Sequence, residues 1–260
     1  MTEENPEVPG SPPPAEPLVS CIMPTRDRRA FVPAAIDYFR RQDYPNRELV
    51  IVDDGRDAVS DLIPPDPQFR YLRTALASVG EKRNAAVRAA RGTYIAHWDD
   101  DDWYSAGRLS AQVQMLRSGS CDVSALSMRH VLCMPGMQFW RCEPAYHAWL
   151  HYRDLCCGTI VYPRSLWERC GPYPSMNVAE DMYFLRRAEA AGACFRRLDD
   201  ESLFVCVRHG RNTWRIMRDW TTNREGWTAI DPPPFLPQSD YGRYARLAGG
   251  RSSAGSSAVA

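Results

Sequence analysis

The sequence predicts an α/β fold: one domain on a mixed, mostly parallel sheet flanked by helices. Three observations predict it. Short apolar runs alternate with segments whose apolar residues recur at helical spacing. Pro, Gly and Asp punctuate the ends of those runs. Several runs stop on polar or acidic residues, the groups that α/β proteins gather at the carboxyl edge of the sheet.

The elements follow in order. Val19 to Met23, closed by Pro24, is the first strand. Phe31 to Arg41 sets Phe31, Ala35, Ile36 and Phe39 on one helical face, and Pro33 suits its first turn. Glu48 to Val52 is a second strand, turned by Asp53-Asp54-Gly55, and Phe69 to Leu72 is a third. Gly80 to Ala90 is an Ala-rich helix that stops near Gly92. Thr93 to Trp98 is the strand feeding Asp99 to Asp102, and Leu109 to Leu116 is a helix. The second half is less regular. Val123 to Cys133 and Met137 to Cys142 read as a hairpin about Pro135-Gly136, Gly158 to Tyr162 and Leu203 to Val207 as strands, and Ser165 to Cys170 and Asp181 to Ala191 as helices. No internal repeat is visible.

Composition narrows the function. The chain has 260 residues, 44% hydrophobic and 25% charged, as in ordinary globular proteins. Lys plus Arg equals Asp plus Glu at 32 each, so there is no bulk electrostatic pull toward nucleic acid or an anionic membrane. The nine cysteines are scattered without a C-x-x-C pair, which argues against a zinc ribbon and for reduced, mostly buried thiols; the vicinal Cys156-Cys157 pair reads as packing. Residues 1–17 read as a disordered Pro-rich leader without the basic start and apolar core of a signal peptide. No apolar run approaches the ~18 residues of a membrane span. A cytoplasmic location is the default expectation, and a homodimer is left open. The folded unit is expected over 18–215, with 216–248 as a lid or packing segment and 249–260 as a disordered Gly/Ser/Ala-rich tail.

Four consecutive carboxylates, Asp99 to Asp102, repel one another at a strand end. A hard divalent cation, magnesium or manganese, relieves that cost. An isolated acidic run is ordinarily a solvated loop, but Trp98, Trp103 and Tyr104 enclose this one with aromatic walls. Parallel pairing brings it to the same edge as Pro24-Thr25-Arg26-Asp27-Arg28 and Asp53-Asp54-Gly55. This convergence outweighs any single motif, since Asp-Gly alone is a plain turn. Glu81-Lys82-Arg83-Asn84 opens a helix, where backbone N–H groups favour anions and Arg83 can fork onto a phosphate. Glu180-Asp181 opens another; such acids often only cap a helix, and beside a cleft one of them serves as general base. His209 follows an apolar strand and can complete a metal's coordination or contact its diphosphate.

In this order the pieces resemble a glycosyltransferase of the Rossmann-like GT-A fold, most like the large inverting family 2. The resemblance rests on Val19 to Arg28, on Gln42-Asp43-Tyr44-Pro45 with Leu49 to Gly55, and on Arg83-Asn84-Ala85-Ala86. It continues through Gly92-Thr93-Tyr94-Ile95, the D-x-D-D loop Asp99 to Asp102, Leu109, and Glu180-Asp181 before a helix ending in Gly192. It covers roughly 18–215, and the ordered set is specific although each motif alone is weak. Departures are Asp27 for a common Asn, Asp100 for a small residue, Ala106 for a common Pro and Arg56 for the usual Ser.

The resemblance implies a UDP-sugar or another nucleotide sugar as donor, bound by the 18–118 half, with acceptor and catalysis in 119–215. Pro24, Thr25, Arg26, Asp53 and Arg83 would line the nucleotide site, Asp54 contact uracil and Asp100 reach the ribose. Asp99 and Asp101 would form the D-x-D metal motif, Asp101 as the direct Mn2+ or Mg2+ ligand, with His209 near metal and diphosphate. Asp181 would be the base, Glu180 its alternate. A nucleotidyltransferase, or a silent nucleotide- or sugar-binding module, is the competing reading. The acceptor is a small molecule, peptide or glycan, with Tyr146, Trp149, Trp167, Trp214, Trp220 and Trp227 as candidate stacking surfaces.

Overall fold

A computed structural model describes residues 16–76, 78–134, 136–214 and 225–249. Most of the expected leader, most of the expected tail, and Trp220 with the start of the 216–248 segment lie outside the described residues.

The first half follows the expected alternation. It runs β1 (Val19–Thr25), α1 (Val32–Arg40), β2 (Arg47–Asp53), β3 (Phe69–Arg73), α2 (Val79–Ala89), β4 (Tyr94–His97), β5 (Trp103–Tyr104) and α3 (Arg108–Arg117). The second half runs β6 (Val123–Leu126), β7 (His130–Cys133), β8 (Gln138–Cys142), α4 (Pro144–Leu150), β9 (Cys156–Pro163), α5 (Arg164–Cys170), α6 (Glu180–Ala190), β10 (Phe195–Leu198), β11 (Phe204–Arg208), β12 (Trp227–Ile230) and α7 (Gln238–Gly249).

Seven strands form the main sheet in the order β10-β6-β9-β4-β1-β2-β3. Neighbours run parallel except at β9, which is antiparallel to both β4 and β6. The sequence of β1 and β2 is nearly continuously apolar because both faces of the sheet are covered. Cys21, Met23, Leu49 and Ile51 enter one core; Ile22, Val50 and Val52 enter the other, with α2 and α6.

The expected hairpin from Val123 to Cys142 is split. β6 stays in the main sheet, while β7 and β8 pair as a hairpin in a second sheet of order β12-β8-β7-β11-β5. Apolar patterning gives a strand's two faces and not the sheet it joins, so the change of sheet at Ser127–Arg129 leaves no local signal. β5, α4, β10, β12 and α7 also had no sequence assignment.

The described part of the C-terminal segment packs behind the aspartate loop. Asp240 of α7 is buried and accepts from Trp103 Nε1 at 2.8 Å and from Arg41 Nη2 at 2.9 Å. Tyr244 Oη donates to the Asp101 backbone carbonyl at 3.5 Å. All nine cysteines are free thiols, six of them buried, Cys156 included. Among the described residues no helix is long and apolar enough to cross a membrane.

Candidate active site

The sheet register puts three strand tips at one edge. Thr25 is level with Asp53 across β1 and β2, and Ile22 with His97 across β1 and β4, so the aspartate loop begins beside Pro24. Thr25 Oγ1 donates to Asp100 Oδ2 at 2.6 Å, joining two of the tips directly. Because β9 is antiparallel, its start also lies at this edge, and Cys156, Cys157 and Gly158 line the cleft.

The cleft encloses a cavity of about 340 Å³. It brings together Pro24, Arg26, Arg83, Asp99, Asp100, Asp101, Glu180 and Asp181 of the expected site residues; Thr25, Asp53, Asp54 and His209 do not line it. Of the candidate stacking residues described, only Trp214 reaches it.

Asp53 fastens the turn at the end of β2. Its carboxylate accepts from the N–H of Gly55 at 2.8 Å, the N–H of Val59 at 3.1 Å and Tyr71 Oη at 2.8 Å, and pairs with Arg73 at 3.1 Å. Asp54 is held by Lys82 Nζ at 2.7 Å, with Arg26 at 3.6 Å. At the tip of β1, Asp27 adopts a left-handed φ of 51° and accepts from the Arg56 N–H at 2.6 Å. Asn and Asp are the side chains that tolerate this conformation, which explains why Asp stands where Asn is common.

α2 ties the two halves of the site together. Ser78 caps it, accepting from Glu81 N–H at 3.2 Å. Its next residues all point inward: Lys82 to Asp54, Arg83 to Asp99 at 3.2 Å and to Glu180 at 3.0 Å, Asn84 to the backbone N–H and C=O of Tyr173, both at 2.8 Å. Tyr173 lies on the loop that leads into α6, so Asn84 sets where Glu180 and Asp181 stand. A side chain at Gly80 would place its Cβ 1.9 Å from the Pro174 carbonyl, so glycine permits this close approach.

Of the two acids at the start of α6, Glu180 is buried against Arg83 and Asp181 is partly exposed to the cleft. Burial, with the neighbouring Glu180 charge, raises the Asp181 pKa to about 7.

The four aspartates differ. Asp102 is buried and accepts from the Val207 N–H at 2.7 Å; burial raises its pKa far above the usual range. This bond docks β11 on the loop and delivers His209, whose Nε2 lies 2.9 Å from Asp101 Oδ2. Burial raises the Asp99 pKa, and burial with the Asp101 charge raises Asp100 to about 7. Asp101 is only partly exposed, but the His209 hydrogen bond and the Arg28 charge outweigh the effect of burial and hold it at about 2. Among the described residues no group of three or more His, Cys, Asp or Glu side chains is placed to hold a metal ion by itself. Asp101 Oδ2 and His209 Nε2 nevertheless both face one positive nitrogen, Arg28 Nη1, at 2.6 Å. A carboxylate oxygen and an imidazole nitrogen converging on one charge suit a small divalent cation whose remaining ligands come from phosphate and water. Sequence reasoning missed Arg28; its only signal was its place one residue past the turn after β1.

Known proteins supply an independent comparison. The family model for Glycosyl transferase family 2 matches residues 20–160. The chain is 25% identical over 218 residues to the uncharacterized glycosyltransferase EpsJ of Bacillus subtilis (strain 168), covering 73% of this chain and 60% of that protein. It is 25% identical over 154 residues to the Escherichia coli UDP-Glc:alpha-D-GlcNAc-diphosphoundecaprenol beta-1,3-glucosyltransferase WfaP, covering 57% of this chain and 61% of that protein. The fold matches S. aureus TarS 1-349 in complex with UDP-GlcNAc with a TM-score of 0.61 at 19% identity, over 75% of this chain and 60% of that one. It also matches the mannosyltransferase PcManGT from Pyrobaculum calidifontis in complex with GDP-Man and Mn2+, with a TM-score of 0.60 at 20% identity, over 94% of this chain and 73% of that one. The chain thus spans less than two thirds of EpsJ, WfaP and the TarS chain. Both structural matches share the mixed α/β GT-A fold that the sequence leads one to expect.

Proposed function

Because the chain belongs to glycosyl transferase family 2, we propose that it transfers a sugar from a nucleotide sugar, with a UDP-sugar as the first candidate, to an acceptor hydroxyl or other nucleophile. The observation that carries this reading is that Asp181 lines one cavity with Asp99 to Asp101 and with Arg83, which pairs with both Asp99 and Glu180. The structural relatives bound to UDP-GlcNAc and to GDP-Man with Mn2+ support a nucleotide-sugar donor and a divalent cation.

In this reading Pro24 and Arg26 border the nucleotide. Asp54 reads the base once Lys82 shares it, and Asp53 keeps the turn beneath it in shape. Thr25 orients Asp100 toward the ribose. Asp99, Asp101 and His209 hold the cation, and their oxygen and nitrogen donors suit Mn2+ or Mg2+. When bound, the cation offsets charge that grows on the departing diphosphate. Arg83 adds a fixed positive charge on the same side. Asp181 accepts the proton of the acceptor nucleophile as that group attacks the anomeric carbon from the face opposite the leaving group. A single displacement of this kind inverts the configuration. Glu180 holds Arg83, and through it the geometry of Asp99.

The test is incubation with a panel of nucleotide sugars and Mn2+, measuring nucleoside diphosphate release. UDP release from a UDP-sugar is expected. Release of pyrophosphate instead would point to a nucleotidyltransferase, and binding without release to a silent module. Asp101→Ala is expected to abolish metal-dependent UDP binding in calorimetry; retention of that binding would remove Asp101 from the metal site.

A further inference from the structure

Arg28 stands at the point that the metal reading assigns to a cation. Its side chain is only 12% exposed. One nitrogen, Nη1, lies 2.6 Å from Asp101 Oδ2, 2.6 Å from His209 Nε2 and 3.9 Å from Asp100 Oδ1. The other, Nη2, donates to the Arg211 carbonyl at 2.6 Å and holds the guanidinium in place.

The cluster is over-committed. Asp101 Oδ2 faces Arg28, His209 at 2.9 Å and Asn212 Nδ2 at 3.1 Å together. The Arg211 N–H points at His209 Nδ1 at 3.3 Å. A neutral imidazole has one lone-pair nitrogen, so it cannot accept from Arg211 at Nδ1 and from Arg28 at Nε2 at once. A protonated Nε2 would donate to Asp101 and turn its proton toward a guanidinium 2.6 Å away. A bare cation at the Nη1 position would draw on one lone pair of Nε2 and one of Oδ2, with the imidazole proton on Nδ1.

We propose that Arg28 is a placeholder cation: its guanidinium holds Asp101 and His209 together in the metal-free protein and gives up that point to a divalent ion. This rests on the metal-site reading given above. Arg28 is a positioning residue, since it acts through Asp101 and His209. Its cost and benefit are both electrostatic. It neutralises buried carboxylates that would otherwise repel, and it competes with the metal for them.

The experiment is Mn2+ binding followed by electron paramagnetic resonance, with no nucleotide present, in the wild-type chain and in Arg28→Gln and Arg28→Lys. Removing the competitor is expected to tighten Mn2+ binding about tenfold in Arg28→Gln, which corresponds to about 1.4 kcal/mol. Arg28→Lys, which keeps a charge, should fall nearer the wild type. A residue with only a structural role would weaken Mn2+ binding when removed, so an equal or lower affinity in a variant with an unchanged circular dichroism spectrum overturns the proposal. Should Arg28→Gln not fold, arginine side-chain 15N resonances of the wild-type protein decide: the Arg28 signal is expected to shift on adding Mg2+ with UDP, and an unmoved signal overturns the proposal. A wild-type protein that binds no Mn2+ even with UDP would instead overturn the metal-site reading itself, and this inference with it.

Discussion

Arg83 Nε donates to Glu180 at 3.0 Å, with both side chains almost fully buried at 4% and 5% exposure. The pair divides the labour of two adjacent acids. Glu180 is committed to Arg83, and Asp181, one residue on, presents its carboxylate to the cleft. Asp181→Asn is therefore expected to leave UDP binding intact and lower kcat by about 10² to 10⁴, the usual worth of a positioned base. Glu180→Ala leaves the buried guanidinium of Arg83 with Asp99 as its one remaining acidic partner and is expected to cost about 3 kcal/mol of folding stability. Calorimetric binding, turnover and a thermal melt on the two variants separate these roles; an unchanged kcat in Asp181→Asn would reject the base assignment.

The raised pKa of Asp181 sets a pH dependence. Only the ionised carboxylate accepts a proton, so kcat/KM is expected to rise with pH, about tenfold per unit, and level off above about 7. The folding linkage has the opposite sense. The ordinary value is 3.8, so between about 4 and about 7 the unfolded chain has released a proton that the folded chain still holds. Stability from this group is thus greatest at low pH, falls through that window and is flat above it. Asp181→Asn should flatten both profiles. Thermal melts from pH 4 to 8 check the second, and an unaltered slope in the variant would count against the assignment.

Asp53 and Asp54 are neighbours with separable jobs. Asp53 joins Gly55, Val59, Tyr71 and Arg73, so Asp53→Ala strips several buried donors of their acceptor and is expected to destabilise the fold by about 2–4 kcal/mol. Asp54→Ala should fold, since Lys82 keeps its bond to the Thr25 carbonyl at 3.2 Å. Its effect should appear as weaker UDP binding by about ten- to a hundredfold, the worth of one hydrogen bond to a charged group. Equal stability losses in the two variants, with UDP affinity unchanged in Asp54→Ala, would refute the division.

Much of the site was legible because it lies where strands end. β1, β2 and β4 are short, apolar and separated by helices, so their parallel pairing and shared edge follow from the pattern alone, and with them the meeting of Pro24 and Asp99 to Asp101 at the cavity. The acids of α6 were legible as a helix start. What the sequence hid were contacts made across the chain. Nothing local marks Asp53 as a turn fastener and Asp54 as the partner of Lys82. Arg28 sits in a loop whose neighbours in space, Asp101 and His209, are 73 and 181 residues away. The second sheet was hidden for the same reason: β5 has two residues and gains its place only by pairing with β11. α7 lacks a core of its own and is ordered around Asp240 and Tyr244, each of which meets a residue of the first half.

Gly158 offers a test that touches no charged group. It lies at the start of β9 on the cavity wall, and a Cβ there would stand 3.0 Å from Asp99 Oδ2. That is closer than ordinary van der Waals contact, so a side chain at this position must displace the Asp99 carboxylate. Asp99 is also held by Arg83 at 3.2 Å, which limits where it can go. Gly158→Val adds two methyl groups beyond the Cβ and forces the movement. Valine suits a strand, so the fold should persist. If Asp99 takes part in holding the cation and diphosphate, Gly158→Val should weaken Mn2+-dependent UDP binding about tenfold while leaving metal-free stability within about 1 kcal/mol, as a misplaced ligand does without an unfolded core. Calorimetry with and without Mn2+ reads the first quantity and a denaturant melt the second. UDP affinity equal to that of the wild type in a folded Gly158→Val protein would show that Asp99 can move without consequence and would leave Asp101 and His209 to hold the metal without it.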